Sequence, residues 1–276
     1  MVENKQNTAR GNGVKIKVQP IDTAVFQCSN VFMWNNYFNL VVIEWMNQHA
    51  STSVNFNRSI NFIQGAYIFK GFAAMALLWF FWFRDDDSKS QTRRIIICTF
   101  IGCIITLIVA TAINYIIPFQ PRPLANPALD FKMPVGVSID KSTTTGHEWL
   151  NSFPSHHASM FFSFAMGIFL ISRKAGYFAF IYAILFIAMP RIYLGLHYPM
   201  DIVAGAILGM AITGMVNQKN IRTLYDEQFI RLLHRYPAAF QTILLVLTFE
   251  IGVIFSDVLT LAGGIIKLFA KQFYFH

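Results

Sequence analysis

Hydrophobic residues dominate several stretches of this chain that approach or reach the length of a bilayer span. A transmembrane helix needs about 20 mostly apolar residues, and short polar or basic segments separate these runs. The runs that we predict to be membrane helices are 65–83, 95–117, 156–172, 177–190, 199–216 and 238–256. Because helices satisfy their own backbone hydrogen bonds in lipid, the pattern predicts an all-α fold, a polytopic membrane helix bundle.

The two ends of the chain carry a weaker pattern. Residues 23–50 mix aromatic and aliphatic side chains with several asparagines and Glu44, which is typical either of a first membrane helix or of an amphipathic interfacial helix. The tail 258–276 leaves the same two alternatives. We therefore expect three parts: residues 1–58 with a polar N-terminus and this first helix, 59–216 as the membrane core, and 217–276 with a cytoplasmic loop and a further membrane or interfacial helix.

Composition places the chain in lipid and argues against a nucleic-acid partner. Of its 276 residues, 55% are hydrophobic and only 13% are charged, whereas soluble domains have about 25% charged residues. The formal net charge of +8 is explained by Lys and Arg in cytoplasmic loops, as is usual in membrane proteins. The first twenty residues lack the apolar core of a signal peptide, so we expect the chain to enter the membrane through its own helices.

The distribution of basic residues predicts the orientation of the helices. The loop 84–94, the turn at Arg173 and Lys174, and the loop 217–236 all fall on one side if the apolar runs alternate in direction. Loops rich in Lys and Arg stay on the cytoplasmic side. The long segment 118–155 and the stretch that begins at Arg191 are then expected on the outer side.

The outer segments carry three clusters of candidate functional residues, each at the edge of a helix. They are Arg122; Ser155, His156 and His157; and Arg191, His197 and Asp201. The first turn of a helix presents unpaired N–H groups and partial positive charge, which suits an anion. Since guanidinium groups match phosphate oxygens bidentately, phosphate is the expected anion.

His197 and Asp201 are spaced to form a pair. Four residues apart, they can lie on one helix face, so that the carboxylate accepts the proton of one ring nitrogen. The other nitrogen then keeps a lone pair for attack on an electrophile or for a metal. This spacing is also found in purely structural polar pairs, and two histidines with an aspartate are also compatible with a metal-dependent hydrolase, an alternative that chelation would test.

These clusters resemble the signatures of the type 2 phosphatidic acid phosphatases (PAP2). The third signature, Arg, five residues, His, three residues, Asp, is matched without interruption by Arg191, His197 and Asp201. The second signature, Pro-Ser-Gly-His, is similar to the Pro-Ser-His-His sequence of residues 154–157. Of the first signature, Lys, six residues, Arg-Pro, the chain has Arg122 and the proline after it.

The resemblance implies a membrane phosphatase with a PAP2-like six-helix core that uses no metal and no cofactor. In this family the counterpart of His197 attacks phosphorus to form a phosphohistidine, and the counterpart of Asp201 fixes its tautomer. The counterpart of His157 protonates the leaving oxygen and then helps to activate water. The expected phosphate-binding residues are Arg122, Ser155, Arg191 and His156.

Two positions depart from the family pattern. Tyr115 stands where the first signature has its lysine, and His156 stands where the second has its glycine. Lys70, near the outer end of the predicted helix 65–83, is a hypothetical source of the missing positive charge, although a lysine there can also extend to the membrane interface. His156 either replaces the glycine without a role or adds a phosphate donor.

The expected substrate is a lipid phosphate or diphosphate whose tail stays in the bilayer. By the resemblance, our first choice is an isoprenoid (undecaprenyl) diphosphate at the outer face of a bacterial inner membrane. The alternatives are a phosphatidic acid or phosphatidylglycerol phosphate phosphatase, a lipid phosphotransferase, and a non-catalytic membrane scaffold or transporter. A scaffold or transporter would release no phosphate, which discriminates it from the enzymes.

Overall fold

The computed structural model describes residues 36–66, 68–85, 88–137, 151–224 and 226–252. Their regular structure is helical, and no strand occurs in these ranges. The all-α prediction is confirmed. The polar N-terminus up to residue 35 and the tail 258–276 lie outside the described residues, so the alternatives for the tail stay predictions.

The helices follow the apolar runs closely. In chain order they are α1 (Tyr37–Asn47), α2 (Val54–Gly65), α3 (Ala73–Phe83), α4 (Lys89–Ile116), α5 (His156–Ile171), α6 (Arg173–Tyr182), α7 (Met189–Tyr193), α8 (Pro199–Val216), α9 (Lys219–Arg222), α10 (Asp226–Arg235) and α11 (Pro237–Gly252). A π-helical segment, Ile68–Phe72, leads into α3, and another, Ala183–Ala188, joins α6 to α7.

Among the described residues, three helices are long and apolar enough to cross a membrane: α4, the continuous stretch Arg173–Tyr193 and α8. Shorter apolar helices are α3, α5 and the greater part of α11. The chain is an integral membrane protein. In contrast, α1 has only 11 residues, a length of roughly 16 Å at 1.5 Å per residue. Because residues 23–35 lie outside the described residues, both alternatives for 23–50 stay predictions.

Small residues allow α5 and α8 to pack in close contact at the centre of the bundle. A Cβ atom on Gly209 would lie 2.1 Å from the carbonyl oxygen of Ser159, and one on Gly205 would lie 2.6 Å from that of Ser155. The Ser163 hydroxyl extends this contact, donating to the Gly209 carbonyl (3.1 Å) and contacting Thr106 on α4 (3.2 Å). The helices that carry the candidate residues are therefore held together near their backbones.

A layer of loop and short helix covers the end of the bundle where α7 finishes. Asn57 on α2 donates to the carbonyls of Ala50 (2.7 Å) and Val135 (3.0 Å) and accepts from the Tyr193 hydroxyl (2.6 Å). The Leu124 amide donates to the Gly195 carbonyl (3.0 Å). These bonds fasten the segment after α4 to the segment between α7 and α8.

Candidate active site

Four chain segments meet at this end of the bundle. The Ser152 amide, before α5, donates to the carbonyl of Gln120, which follows α4 (3.0 Å). The Ser155 amide donates to the Asp201 carbonyl in the first turn of α8 (3.2 Å). The three clusters predicted from the sequence therefore converge, although up to 79 positions separate Arg122 from Asp201.

The His197 ring is held from one side by the backbone. It is only 6% exposed, and its Nδ1 lies 2.8 Å from the carbonyl oxygen of Ser152. A carbonyl can only accept, so Nδ1 must carry the hydrogen and Nε2 keeps its lone pair. The contact thereby selects the tautomer that a nucleophilic Nε2 requires.

The Asp201 carboxylate lies near the same ring nitrogen of His197. Its Oδ2 lies 3.8 Å from His197 Nδ1, so the Ser152 carbonyl is the nearer acceptor for the ring. The same Oδ2 accepts hydrogen bonds from the Ser152 hydroxyl and from the Tyr198 amide (2.8 Å). Asp201 thus binds Ser152, which contacts the His197 ring, and Tyr198, which follows His197 in the chain. It also places a negative charge near the imidazole.

Two guanidinium groups have buried N–H groups without a partner in the described part of the protein. Arg191 is 1% exposed, and its Nη1 donates to the Ile187 carbonyl (2.9 Å). Its Nη2, like the Nε of Arg122, has no hydrogen-bond partner among the described residues. Since a buried donor without a partner is costly, an anion that accepts from both arginines would stabilise this arrangement.

The electrostatic environment keeps His197 neutral. Burial lowers its pKa below the ordinary value, and the charges of Arg122 and Arg191 lower it further, while Asp201 raises it. The net pKa is lowered. Burial also lowers the pKa of Arg122, and Asp201 opposes this change. A neutral imidazole that feels the charge of two cations is suited to attack an anionic phosphoryl group.

The first turn of α5 contributes the second predicted cluster. Ser155 is the N-cap residue and its Oγ accepts from the Ala158 amide (3.4 Å). His156 Nε2 lies 3.2 Å from Thr111 Oγ1 on α4, and His157 is the next, half-buried residue. Ser155 therefore organises the helix end. Phosphate binding by Ser155 and His156, and proton transfer by His157, stay predictions.

The two candidate replacements for the family's lysine differ in placement. Tyr115, near the end of α4, is 66% exposed. Lys70 lies in the π-helical segment Ile68–Phe72, but its side chain lies outside what the structure describes. The hypothesis that Lys70 supplies the charge stays a prediction.

The comparison with known families covers this whole site. The family model described as PAP2 superfamily matches residues 120–222. This part of the chain is therefore similar to the PAP2 superfamily. The matched PAP2 region contains all seven residues that the sequence analysis assigned to catalysis or phosphate binding.

Two individual proteins are similar to this chain. A relative named bacitracin transport permease protein BcrC, from Bacillus licheniformis, is 45% identical over 64 residues, which are 23% of this chain and 31% of the relative. The match therefore spans about a third of the relative's length. The crystal structure of Aquifex aeolicus LpxE matches with a TM-score of 0.45 and 23% identity, covering 67% of this chain and 97% of that one.

Sequence reasoning missed two residues of the PAP2 region that lie within the site. Ser152 forms hydrogen bonds with both His197 and Asp201. The Gln120 carbonyl accepts a hydrogen bond from the Ser152 amide. Neither belongs to the signatures quoted above, and a serine or glutamine in a loop carries no signal of its own. In the part of the chain that the structure describes, no three His, Cys, Asp or Glu side chains are grouped to hold a metal ion.

Proposed function

We propose that this chain is a membrane lipid phosphatase that hydrolyses a phosphate or diphosphate monoester headgroup through a phosphohistidine on His197. The observation that carries the proposal is the buried imidazole, with Nδ1 held by the Ser152 carbonyl. Beside it lie two guanidinium groups whose N–H groups are unpaired among the described residues. The match of residues 120–222 to the PAP2 superfamily model supports this chemistry.

The proposed reaction has two displacements at phosphorus. Nε2 of His197 attacks, the bond from phosphorus to the lipid oxygen (or to the bridging oxygen of a diphosphate) breaks, and His157 protonates the leaving oxygen. Water, deprotonated by His157, then attacks the phosphohistidine, and the P–N bond breaks to release inorganic phosphate. Asp201 stabilises the cationic phosphohistidine.

In this mechanism the rate depends mainly on the positioning of the phosphate and on neutralisation of its negative charge. Phosphoryl transfer spreads negative charge over the equatorial oxygens, and the two guanidinium groups neutralise it. Arg122 and Arg191 are the main phosphate-binding residues, and the first turn of α5, with Ser155 and His156, contributes further donors. Because the site is largely buried, each of these contacts is stronger than it would be in water.

The proposed substrate is a lipid with its headgroup in this site and its tail in the bilayer. The site lies at the end of apolar helices, where a headgroup and its tail separate. We propose an isoprenoid diphosphate first, with phosphatidic acid and phosphatidylglycerol phosphate as the alternatives. The proposed location is a bacterial inner membrane with the site on the outer face, opposite the basic loops.

Phosphate release by the detergent-purified protein tests the proposal. The three lipids are compared in the presence of EDTA, with His197→Ala beside the wild type. We expect release from at least one lipid, and a loss of at least about a thousandfold in the variant, since removal of a nucleophile has effects of this order or larger. His234→Ala, an exposed histidine on α10, is the matched control and keeps full activity.

Trapping of the intermediate completes the test. An acid-labile, alkali-stable phosphoenzyme forms on the wild type and is absent in His197→Ala. Release that survives in this variant, or that EDTA abolishes, would overturn the histidine mechanism. Phosphate delivered to a second lipid instead of water would assign the site to a phosphotransferase.

A further inference from the structure

The carboxamide of Gln120 is a buried polar group that the proposed mechanism does not use. Gln120 is only 3% exposed. Neither its Nε2 nor its Oε1 has a hydrogen-bond partner among the residues that the structure describes. Leaving one such buried group without a hydrogen bond costs about 1–3 kcal/mol of folding free energy. Two unsatisfied atoms in one side chain are therefore unusual, and a bound ligand that accepts or donates a hydrogen bond would explain them.

The backbone of Gln120 ties this amide to the catalytic residues. Its carbonyl accepts from the Ser152 amide (3.0 Å), and its own amide donates to Asn151 Oδ1 (3.4 Å). Ser152 in turn accepts from the His197 ring through its carbonyl. Gln120 also lies two residues before Arg122, whose Nε is likewise unpaired among the described residues.

Tyr198 provides a second contact that orients the amide. The Gln120 side chain lies near the Tyr198 hydroxyl and lowers its pKa, although burial and Asp201 leave that pKa raised overall. The hydroxyl oxygen already accepts from Asn126 Nδ2 (2.9 Å), and an N–H group that faces a phenol oxygen lowers its pKa, so the NH₂ end of Gln120 is the end nearer Tyr198. An NH₂ group has two hydrogens, which leaves at least one of them for another acceptor.

The tyrosine at position 115 suggests a phosphate oxygen as the acceptor for the Gln120 NH₂ group. The family pattern has a lysine there, but in this chain the side chain is a largely exposed tyrosine. The site therefore has two guanidinium groups and no ammonium group from this position. A phosphate bound by the arginines would have an oxygen that lacks this donor.

We infer that Gln120 is a phosphate-binding residue, whose NH₂ group donates to a non-bridging oxygen of the headgroup phosphate. The inference rests on the proposed function, since it concerns the same site. The donor is the neutral amide of Gln120, whereas the first signature of the PAP2 family has a lysine cation. Gln120 contributes to binding in both the ground state and the transition state, so its loss raises KM more than it lowers kcat.

Binding of inorganic phosphate tests this inference without relying on catalysis. The measurement is the phosphate concentration that half-maximally raises the melting temperature of the purified protein, for wild type, Gln120→Met and Gln120→Glu. The Met side chain has about the length of Gln but lacks the amide group. The Glu side chain has the shape of Gln, but its carboxylate lacks the N–H donor and repels the phosphate anion. We expect affinity to fall about tenfold in Gln120→Met and further in Gln120→Glu, because hydrogen bonds to charged groups have this strength.

Stability and a matched control separate binding from structure. Replacing an unsatisfied buried amide by an apolar group is neutral or stabilising, so Gln120→Met without phosphate melts at or above the wild-type temperature. Asn217→Ala removes another buried amide at the opposite end of α8 and leaves phosphate affinity unchanged. If Gln120→Met does not fold, Gln120→Glu alone decides the result.

The outcomes distinguish the two proposals. Unchanged phosphate affinity and unchanged KM in both Gln120 variants would overturn the role of Gln120, while wild-type hydrolysis would still support the phosphatase. A wild type that binds phosphate through Gln120 but hydrolyses none of the lipids would support the role of Gln120 and overturn the phosphatase.

Discussion

At the scale of single residues, Ser152 joins the imidazole and the carboxylate of the site. Its carbonyl accepts from His197 Nδ1 (2.8 Å), and its hydroxyl donates to Asp201 Oδ2. Asp201 therefore acts on the ring through its charge and through the residue that holds the ring. Loss of the hydroxyl leaves the carbonyl contact in place, so the two functions of Ser152 can be tested separately.

Ser152→Ala is expected to lower kcat by about tenfold to a hundredfold with little change in KM. The buried carboxylate of Asp201 loses a charge-assisted hydrogen bond of about 1.5–3 kcal/mol and positions the site less well. Steady-state kinetics on the best lipid substrate measures this effect. Ser59→Ala, an exposed serine on α2, serves as the control, and full kcat in Ser152→Ala would contradict the assigned link.

The lowered pKa of His197 predicts the acidic limb of the pH profile. Attack requires the neutral ring, so kcat/KM falls as the pH drops through the pKa of the folded protein. That pKa is lowered, so the limb lies below the ordinary value of about 6.5. The initial rate at subsaturating substrate, measured as a function of pH, checks this, and a limb at or above that value would contradict it.

The same pKa change also affects stability. The unfolded chain protonates His197 at about pH 6.5, whereas the folded protein does so only at lower pH. The unfolded state therefore binds more protons, and stability decreases as the pH falls below about 6.5. The melting temperature must be measured over the same pH range so that unfolding is not mistaken for the catalytic limb.

At the scale of elements, the helix through Pro190 differs from the sequence prediction in an informative way. The predicted run 177–190 ends at the proline, yet the helical stretch continues to Tyr193. The π-helical segment Ala183–Ala188 precedes Pro190, and a widened turn accommodates the missing N–H group. The Ile187 carbonyl in this segment accepts from Arg191 Nη1, so the irregularity positions a residue that we propose to bind phosphate.

The contact between α5 and α8 predicts opposite effects for two glycines of one helix. A Cβ on Gly209 would lie 2.1 Å from the Ser159 carbonyl oxygen, whereas one on Gly214 would have its nearest neighbour, a Met166 side-chain atom, at 3.5 Å. Gly209→Ala must push the helices apart and is expected to lower both the melting temperature and the activity. Gly214→Ala gains helix propensity of about 1 kcal/mol without a clash.

Thermal unfolding of the detergent-purified variants, with phosphate release on the same samples, measures this difference. Gly214→Ala controls for the effect of an added methyl group on α8 itself. A Gly209→Ala protein as stable and active as the wild type would show that the α5–α8 spacing does not position the site.

At the scale of the whole molecule, the site and the basic segments lie at opposite ends of the helices. α4 begins at Lys89 and ends beside the site, and α5 begins at the site and ends next to Arg173. α8 runs from Asp201 towards the basic loop after Val216. By the positive-inside rule, this arrangement predicts the proposed orientation, with the site on the outer face of the membrane.

Cysteine labelling in intact cells tests this orientation. Ala128→Cys, an exposed position near the site, is expected to react with a membrane-impermeant maleimide, and Lys174→Cys is expected to react only after permeabilisation. The described native cysteines, Cys98 and Cys103, are buried, and the wild type measures the background. The reverse labelling pattern would place the site in the cytoplasm.

The sequence by itself determined the helices and the candidate chemistry, because both depend on local spacing. Apolar runs of about 20 residues require helices in lipid, and α4 and α8 lie where their runs predicted. The Arg191, His197 and Asp201 spacing is readable within eleven residues. The candidate residues of the three clusters could therefore be chosen before any contact was known.

Only the tertiary structure decided how these residues are held. The acceptor of His197 lies 45 positions away at Ser152, and no local pattern connects a loop carbonyl to a distant ring. The Gln120 amide and the guanidinium N–H groups, which have no partner within the described ranges, are likewise properties of burial, which depends on every neighbouring helix. Spacing along the chain identifies reactive side chains, but their partners are set by packing between distant segments.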